Sequence, residues 1–173
     1  MLLVVETGLG LSDANSYIEI ADVERYLPSS MYDKFSELEE LEKIDRMIIA
    51  SMFINYSFNW LGLQKTIEQG LSWPRTNVFF QGHKIPDDYI PIQIKKASVM
   101  ALNLIMQFGI NFFQENGKAQ VKRQKLGIIE TEYFEALKAN FIDNTEYQDI
   151  NNMLRGLFKK EGNENYVAEV FRR

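Results

Sequence analysis

The densest apolar pattern in the chain begins at Pro91 and runs through Ile92, Ile94, Ala97, Ala101, Leu102, Leu104, Ile105 and Phe108. These positions cover much of a helical cylinder rather than one stripe, so the spacing predicts a largely buried central helix within residues 91–116. Proline is well tolerated in a first turn, because the amide it lacks would have had no helical partner. Lys95, Lys96 and Gln107 mark the solvent side. A second periodic set, Leu38, Leu41, Ile44, Ile48, Met52 and Asn55, widened by Met47, Ile49, Phe53 and Ile54, predicts a long helix after Ser36. Ser36 with Glu39 has the form of a capping box, and Gly62 is expected to end this helix in the left-handed conformation. The first half of the helix is acidic and the second nearly all apolar, which predicts a start at the surface and a buried end. A short helix over 22–27 should precede it, closed by Pro28. Helical spacing of Tyr147, Ile150, Met153, Leu154, Leu157 and Phe158 predicts a last helix within 145–159.

Between these segments the pattern breaks. In the arm of residues 1–20, Gly8, Gly10, Ser12, Asp13 and Asn15 oppose a helix, and an extended strap across a neighbour or across the chain's own core fits equally. Residues 63–90 read as connection, punctuated by Gly70, Pro74, Gly82, Pro86 and Asp87-Asp88. An unpatterned link of that length is uncommon in a small domain and suggests a functional loop. Within it, Trp73 is expected in the core, the alternative being an anchor between core and connection. The adjacent Phe79 and Phe80 either plug the chain's own core, the favoured reading, or meet a partner. Alternation at Val121, Leu126, Ile128, Ile129, Thr131 and Tyr133 predicts a two-stranded ribbon over 119–126 and 128–134, and residues 164–173 read as a strand-like tail. The fold class expected is mainly α: one small helical domain of three to four main helices, with a short β-ribbon in 117–134 and extended N- and C-terminal arms.

Composition narrows the functions available. The 173 residues are 46% hydrophobic, which suits a folded core, and they include no cysteine and one histidine, His83. Disulfides and thiol chemistry are thereby excluded, and neither a metal site nor a cofactor is expected. No loop ends in Gly-Lys-Ser/Thr to cradle phosphate, and no Ser/His/acid set stands out, so the chain is read as a non-enzyme with no catalytic residues. Residues 1–6 lack the basic flank and long apolar run of a signal peptide, and no uncharged apolar run reaches bilayer length, so no membrane contact is expected. Residues 1–90 carry 7 Lys/Arg against 14 Asp/Glu and residues 91–173 carry 12 against 10, for a net charge of −5. The one basic concentration is Lys118, Lys122, Arg123 and Lys125. Cross-strand pairing with Glu130 and Glu132 accounts for it as a solvated ribbon, and nucleic-acid contact by Lys122, Arg123 and Lys125 is the alternative.

Four blocks stand out along the chain: Glu6-Thr7-Gly8-Leu9-Gly10 leading to Asp13-Ala14-Asn15-Ser16-Tyr17, then Leu71-Ser72-Trp73-Pro74-Arg75, then Ile90-Pro91 with Lys95-Lys96-Ala97, and finally Val121-Lys122 with Lys125-Leu126-Gly127 and Tyr133. In order and spacing they resemble the tailed-bacteriophage family catalogued as DnaT-like single-stranded-DNA-binding proteins, over most of the chain. The family label implies DNA binding. Its members also look like head-to-tail connector, or adaptor, proteins, mainly helical subunits that form a ring, usually of twelve, beneath the portal. The resemblance therefore implies a homo-oligomeric ring in the virion neck, assembled in the host cytoplasm, with the portal and a tail or head-closure protein as partners and double-stranded DNA passing through. Asn15, Ser16 and Tyr17 carry over as the arm motif, Trp73, Pro74 and Arg75 as the central motif and residues 122–127 as the basic ribbon. A single-strand binder needs a basic groove interleaved with aromatics. The acidic balance favours the connector and leaves single-stranded DNA binding as the alternative.

Overall fold

A computed structural model describes residues 2–109 and 145–159. In chain order these contain α1 (Ile20–Tyr26), α2 (Ser29–Ser36), α3 (Glu40–Ser57), β1 (Leu63–Gln64), β2 (Arg75–Thr76), β3 (Phe79–Phe80), β4 (His83–Lys84), α4 (Ile92–Phe108) and α5 (Thr145–Leu154). The chain is thus mainly helical, as its patterning predicts, and its short antiparallel ribbons among the described residues fall within 63–84, which the pattern read as connection. The strands expected at 119–126 and 128–134, the side chains of Lys122, Arg123 and Lys125, and the tail 164–173 lie outside the described residues.

The apolar character of α4 on several sides is explained by its neighbours: it packs against α1, α2, α3 and α5. Ala97, Ser98 and Ala101 let those helices approach, and Ile94, Leu102, Leu104 and Ile105 fill the space between them. The one buried hydroxyl in its first half, Ser98 Oγ, donates back to the Ile94 carbonyl at 2.9 Å, so burial leaves it satisfied. Pro91 is the N-cap rather than a residue of the first turn. Lys95 and Lys96 do more than face solvent. Lys95 Nζ reaches the largely buried Asp22 carboxylate at 2.9 Å, and Lys96 Nζ lies 5.4 Å from the centre of the Tyr26 ring, so both tie α4 to α1.

The start of α3 corrects the expected capping box. Ser36 closes α2, a helix absent from the sequence-based reading, and its Oγ donates to the Asp33 carbonyl at 2.7 Å. The N-cap of α3 is Glu39, whose side chain makes no capping bond. Pro28 explains the missed helix: it ends α1 and, because an N-terminal position costs proline nothing, opens α2 at once. The reciprocal box belongs instead to α1, where the Glu19 side chain accepts the Asp22 amide and the Asp22 side chain accepts the Glu19 amide. Ser36→Ala should accordingly change the free energy of unfolding by less than about 0.5 kcal/mol, as for an exposed site away from a cap, in urea denaturation; the cap reading would have required about 1 kcal/mol.

Residues 63–90 are a connection without long regular structure, and within it lie two short antiparallel pairs. β1 pairs with β2 (Leu63↔Thr76, Gln64↔Arg75) and β3 with β4 (Phe79↔Lys84, Phe80↔His83). Gln81 and Gly82, both with positive φ, make the tight turn of the second hairpin. Gly62 is left-handed as expected (φ 71°), but it stands beyond an extended C-cap at Phe58. Its need for glycine comes from close approach: a Cβ there would collide with the Thr76 carbonyl. At the far end, Lys159 N–H donates to the Asn59 carbonyl and Leu61 N–H to the Leu157 carbonyl, joining the turn after α5 to the exit of α3.

Candidate functional site

The N-terminal arm lies on the chain's own core, and polar bonds hold it there. The Glu6 carboxylate, 1% exposed, accepts the amides of Gly8 (2.8 Å), Gly10 (2.9 Å) and Leu11 (2.8 Å). A carboxylate removed from water is tolerated when several donors replace its hydration, and here the backbone bends round it to supply them. Gly8, at φ 103°, makes that bend possible, and a Cβ on it would strike the Asp88 carbonyl. Asn15 fastens the strand before the bend: its Oδ1 accepts Val4 N–H and its Nδ2 donates to the Leu2 carbonyl, both at 2.9 Å. Ser16 Oγ donates to the Ile18 carbonyl at 2.7 Å, which leaves the Ser51 hydroxyl to donate across the 3.1 Å gap between the two oxygens. Ser51 Oγ also accepts Tyr17 N–H at 3.0 Å.

One turn further along α3, Asn55 joins the arm to the Trp-Pro-Arg turn. Its Oδ1 accepts the Tyr17 hydroxyl at 2.7 Å and the Ser72 amide at 2.6 Å, and the Tyr17 oxygen accepts Trp73 N–H at 3.2 Å. The Asn55 main-chain carbonyl takes Trp60 Nε1 at 3.1 Å, which satisfies an acceptor that the end of a helix leaves open. Trp73 is fully buried, set edge-to-face on Trp60 with ring centres 6.0 Å apart, and the Trp73–Pro74 bond is cis. Its Nε1 is buried with no hydrogen-bond partner among the described residues. The Pro74 carbonyl accepts Gln69 Nε2 at 3.1 Å and Lys65 N–H at 3.2 Å. Arg75 aims its guanidinium at main chain: Nε to Leu61 O (2.6 Å), Nη1 to Ser72 O (3.0 Å) and Nη2 to Gly62 O (2.8 Å). Burial lowers its pKa. With three donors directed inward, this arginine closes a loop and offers no free fork to a phosphate.

Burial drives the Tyr17 hydroxyl well above the ordinary phenol range. A raised folded-state pKa means that the folded protein keeps a proton the unfolded chain gives up. The stabilisation is therefore complete below the unfolded value of about 10 and is lost as pH climbs beyond it toward the folded value. Denaturation between neutral pH and pH 11 should show this alkaline loss in the wild type, and Tyr17→Phe should lack the part due to this residue while being less stable at neutral pH.

Five of the residues singled out from sequence, Ser16, Tyr17, Trp73, Pro74 and Arg75, thus join arm, α3 and central turn, while Asn15 fastens the arm to itself through Leu2 and Val4. Phe79 and Phe80 do not join them. Successive strand residues face opposite ways, so Phe80 packs against the core near Gly156 while Phe79 is 61% exposed. The expectation that the pair plugs the core holds for half of it. Glu6, Ser51, Asn55 and Gln69, all buried, were missed. A signal for two of them existed: Ser51 and Asn55 are polar, four residues apart on one helix face, in the half of α3 that is otherwise nearly all apolar. Among the described residues no group of three or more His, Cys, Asp or Glu side chains could hold a metal ion, and no helix is long and apolar enough to cross a membrane.

An arm and a central turn stitched onto a helical core define a small, mainly helical protein domain in which the blocks Ala14 to Tyr17 and Leu71 to Arg75 serve its own architecture. Over residues 1–173 the chain matches the family described as "Putative DnaT-like ssDNA binding protein", and it belongs to that family. Comparison with curated proteins and with solved structures returns no match. The family description names single-stranded DNA binding, the alternative drawn from the sequence, and says nothing of a connector.

Proposed function

We propose that the chain is a structural virion protein, a head-to-tail connector subunit that forms a homo-oligomeric ring below the portal, contacts the portal and a tail or head-closure protein, and lets double-stranded DNA pass. The observation that carries this reading is the engagement of Ala14 to Tyr17 and Trp73 to Arg75 in one another and in α3: these blocks build a rigid subunit and present no reactive or ligand-ready group. Charge supports it. Residues 2–109 and 145–159 carry sixteen Asp and Glu against eleven Lys and Arg. An acidic surface repels a passing duplex rather than gripping it, which suits a conduit. Native mass measurement of the purified protein at high concentration, alone and mixed with its portal, tests the reading. A ring, or assembly on the portal only, is expected, and a strict monomer that ignores the portal would contradict it.

A second reading, single-stranded DNA binding, is favoured by the family's own description. It calls for aromatic faces and cations placed together at the surface.

A further inference from the structure

Beyond the connector reading, and resting on the second one, we infer that the β3–β4 hairpin is a contact point for single-stranded nucleic acid, with Phe79 as the stacking face and Lys84 as the phosphate partner. Phe79 is 61% exposed on a two-residue strand, and its cross-strand partner is Lys84, itself exposed. Side chains directly opposite in an antiparallel pair share one face of the ribbon, so Phe79 and Lys84 project from the same side. From Asn77 to Lys84 the chain carries no carboxylate. Lys84 has a side chain about half exposed, and its one ion-pair contact, Asp87 Oδ1 at 3.8 Å, lies beyond hydrogen-bond distance. The hairpin is held from beneath, because Phe80 on the opposite face packs against the core near Gly156 and Ile85 N–H donates to the Val78 carbonyl at 2.9 Å.

Two other exposed aromatic side chains, Tyr89 and Tyr56, lack this pairing. Tyr89 lies on no strand, so no cross-strand cation stands opposite it, and Tyr56 has Met52 and Phe53, not a cation, one turn back on α3. A base stacks on a ring whatever its identity, and a lysine beside the ring can follow the backbone; duplex DNA hides its base faces and cannot use the ring. The expected ligand is therefore a short, unpaired, sequence-indifferent strand. One such contact per subunit is weak by itself, and a ring would multiply it.

The test is fluorescence anisotropy with a labelled oligothymidine and a matched duplex across a salt series. The variants are Phe79→Ala, Phe79→Trp, Lys84→Glu and the combined Lys122→Glu/Arg123→Glu/Lys125→Glu, each checked by thermal melting. The wild type should prefer the single strand. Phe79→Ala should weaken that binding about tenfold or more, whereas Phe79→Trp should preserve it. Lys84→Glu should reduce the slope of log affinity against log salt by about 0.7, the share of one phosphate. Binding by the wild type that survives Phe79→Ala, or that only the 122–125 triple substitution removes, would overturn the hairpin site and leave the single-strand reading intact. No binding by the wild type at low salt would overturn both.

Discussion

Trp73→Ala is expected to cost about 3–5 kcal/mol, the range for deleting a large buried aromatic. That is a large share of the roughly 5–15 kcal/mol that holds a domain folded. The ring is wholly inaccessible, meets Trp60 edge-to-face and sits where the loop of residues 63–90 enters the core. Nothing small can fill the resulting cavity without moving the loop, and the loop is tied down by Gln69 and Arg75. Trp73→Phe should be far milder. The indole N–H has no partner among the described residues, so losing it breaks no hydrogen bond, and phenylalanine fills most of the volume. Guanidinium denaturation should show a much lower midpoint for alanine and a modest shift for phenylalanine. Wild-type stability in Trp73→Ala, with loss only of assembly, would move Trp73 from the core to an interface.

Asn55→Ala should cost about 2–4 kcal/mol. The truncation leaves two buried donors, the Tyr17 hydroxyl and the Ser72 amide, without their acceptor, and each stranded donor costs about 1–3 kcal/mol. Both belong to segments far away in the chain, so arm and central turn loosen together. Against a Tyr17→Phe background the same change should cost less than it does in the wild type, because one of the stranded donors is then gone. Urea denaturation of the two single variants and the double variant gives that coupling. Strict additivity would mean that arm and turn dock independently.

Much of the architecture follows from patterning that survives folding. α4 was legible because its apolar positions go round the cylinder and Pro91 marks its start, and the buried second half of α3 because its polar residues thin out. The misplaced cap shows where a template fails. Ser36-x-x-Glu39 fits the common form, yet the box the chain uses pairs two acids, Glu19 and Asp22, outside that form. The loop of residues 63–90 gave no strand signal because two-residue strands are too short to alternate. Its order comes instead from Gln64, Gln69 and Arg75 bonding to main-chain carbonyls, which leaves no periodic trace. The candidate site was half legible: its two blocks stand out in the sequence, but their meeting on Ser51 and Asn55 exists only once α3 and the arm have packed. Phe79 and Phe80 parted because a two-residue strand decides which of two neighbours faces in.

The central claim, that this chain is a virion connector, is tested most directly by cryo-electron microscopy of purified particles of the phage, resolved at the neck. The account predicts a closed ring between portal and tail into which α1–α5 fit, with the arm folded back on its own subunit and Trp73 inside it. Particles with a complete neck and no density for this chain, together with its absence from their protein content, would contradict the account.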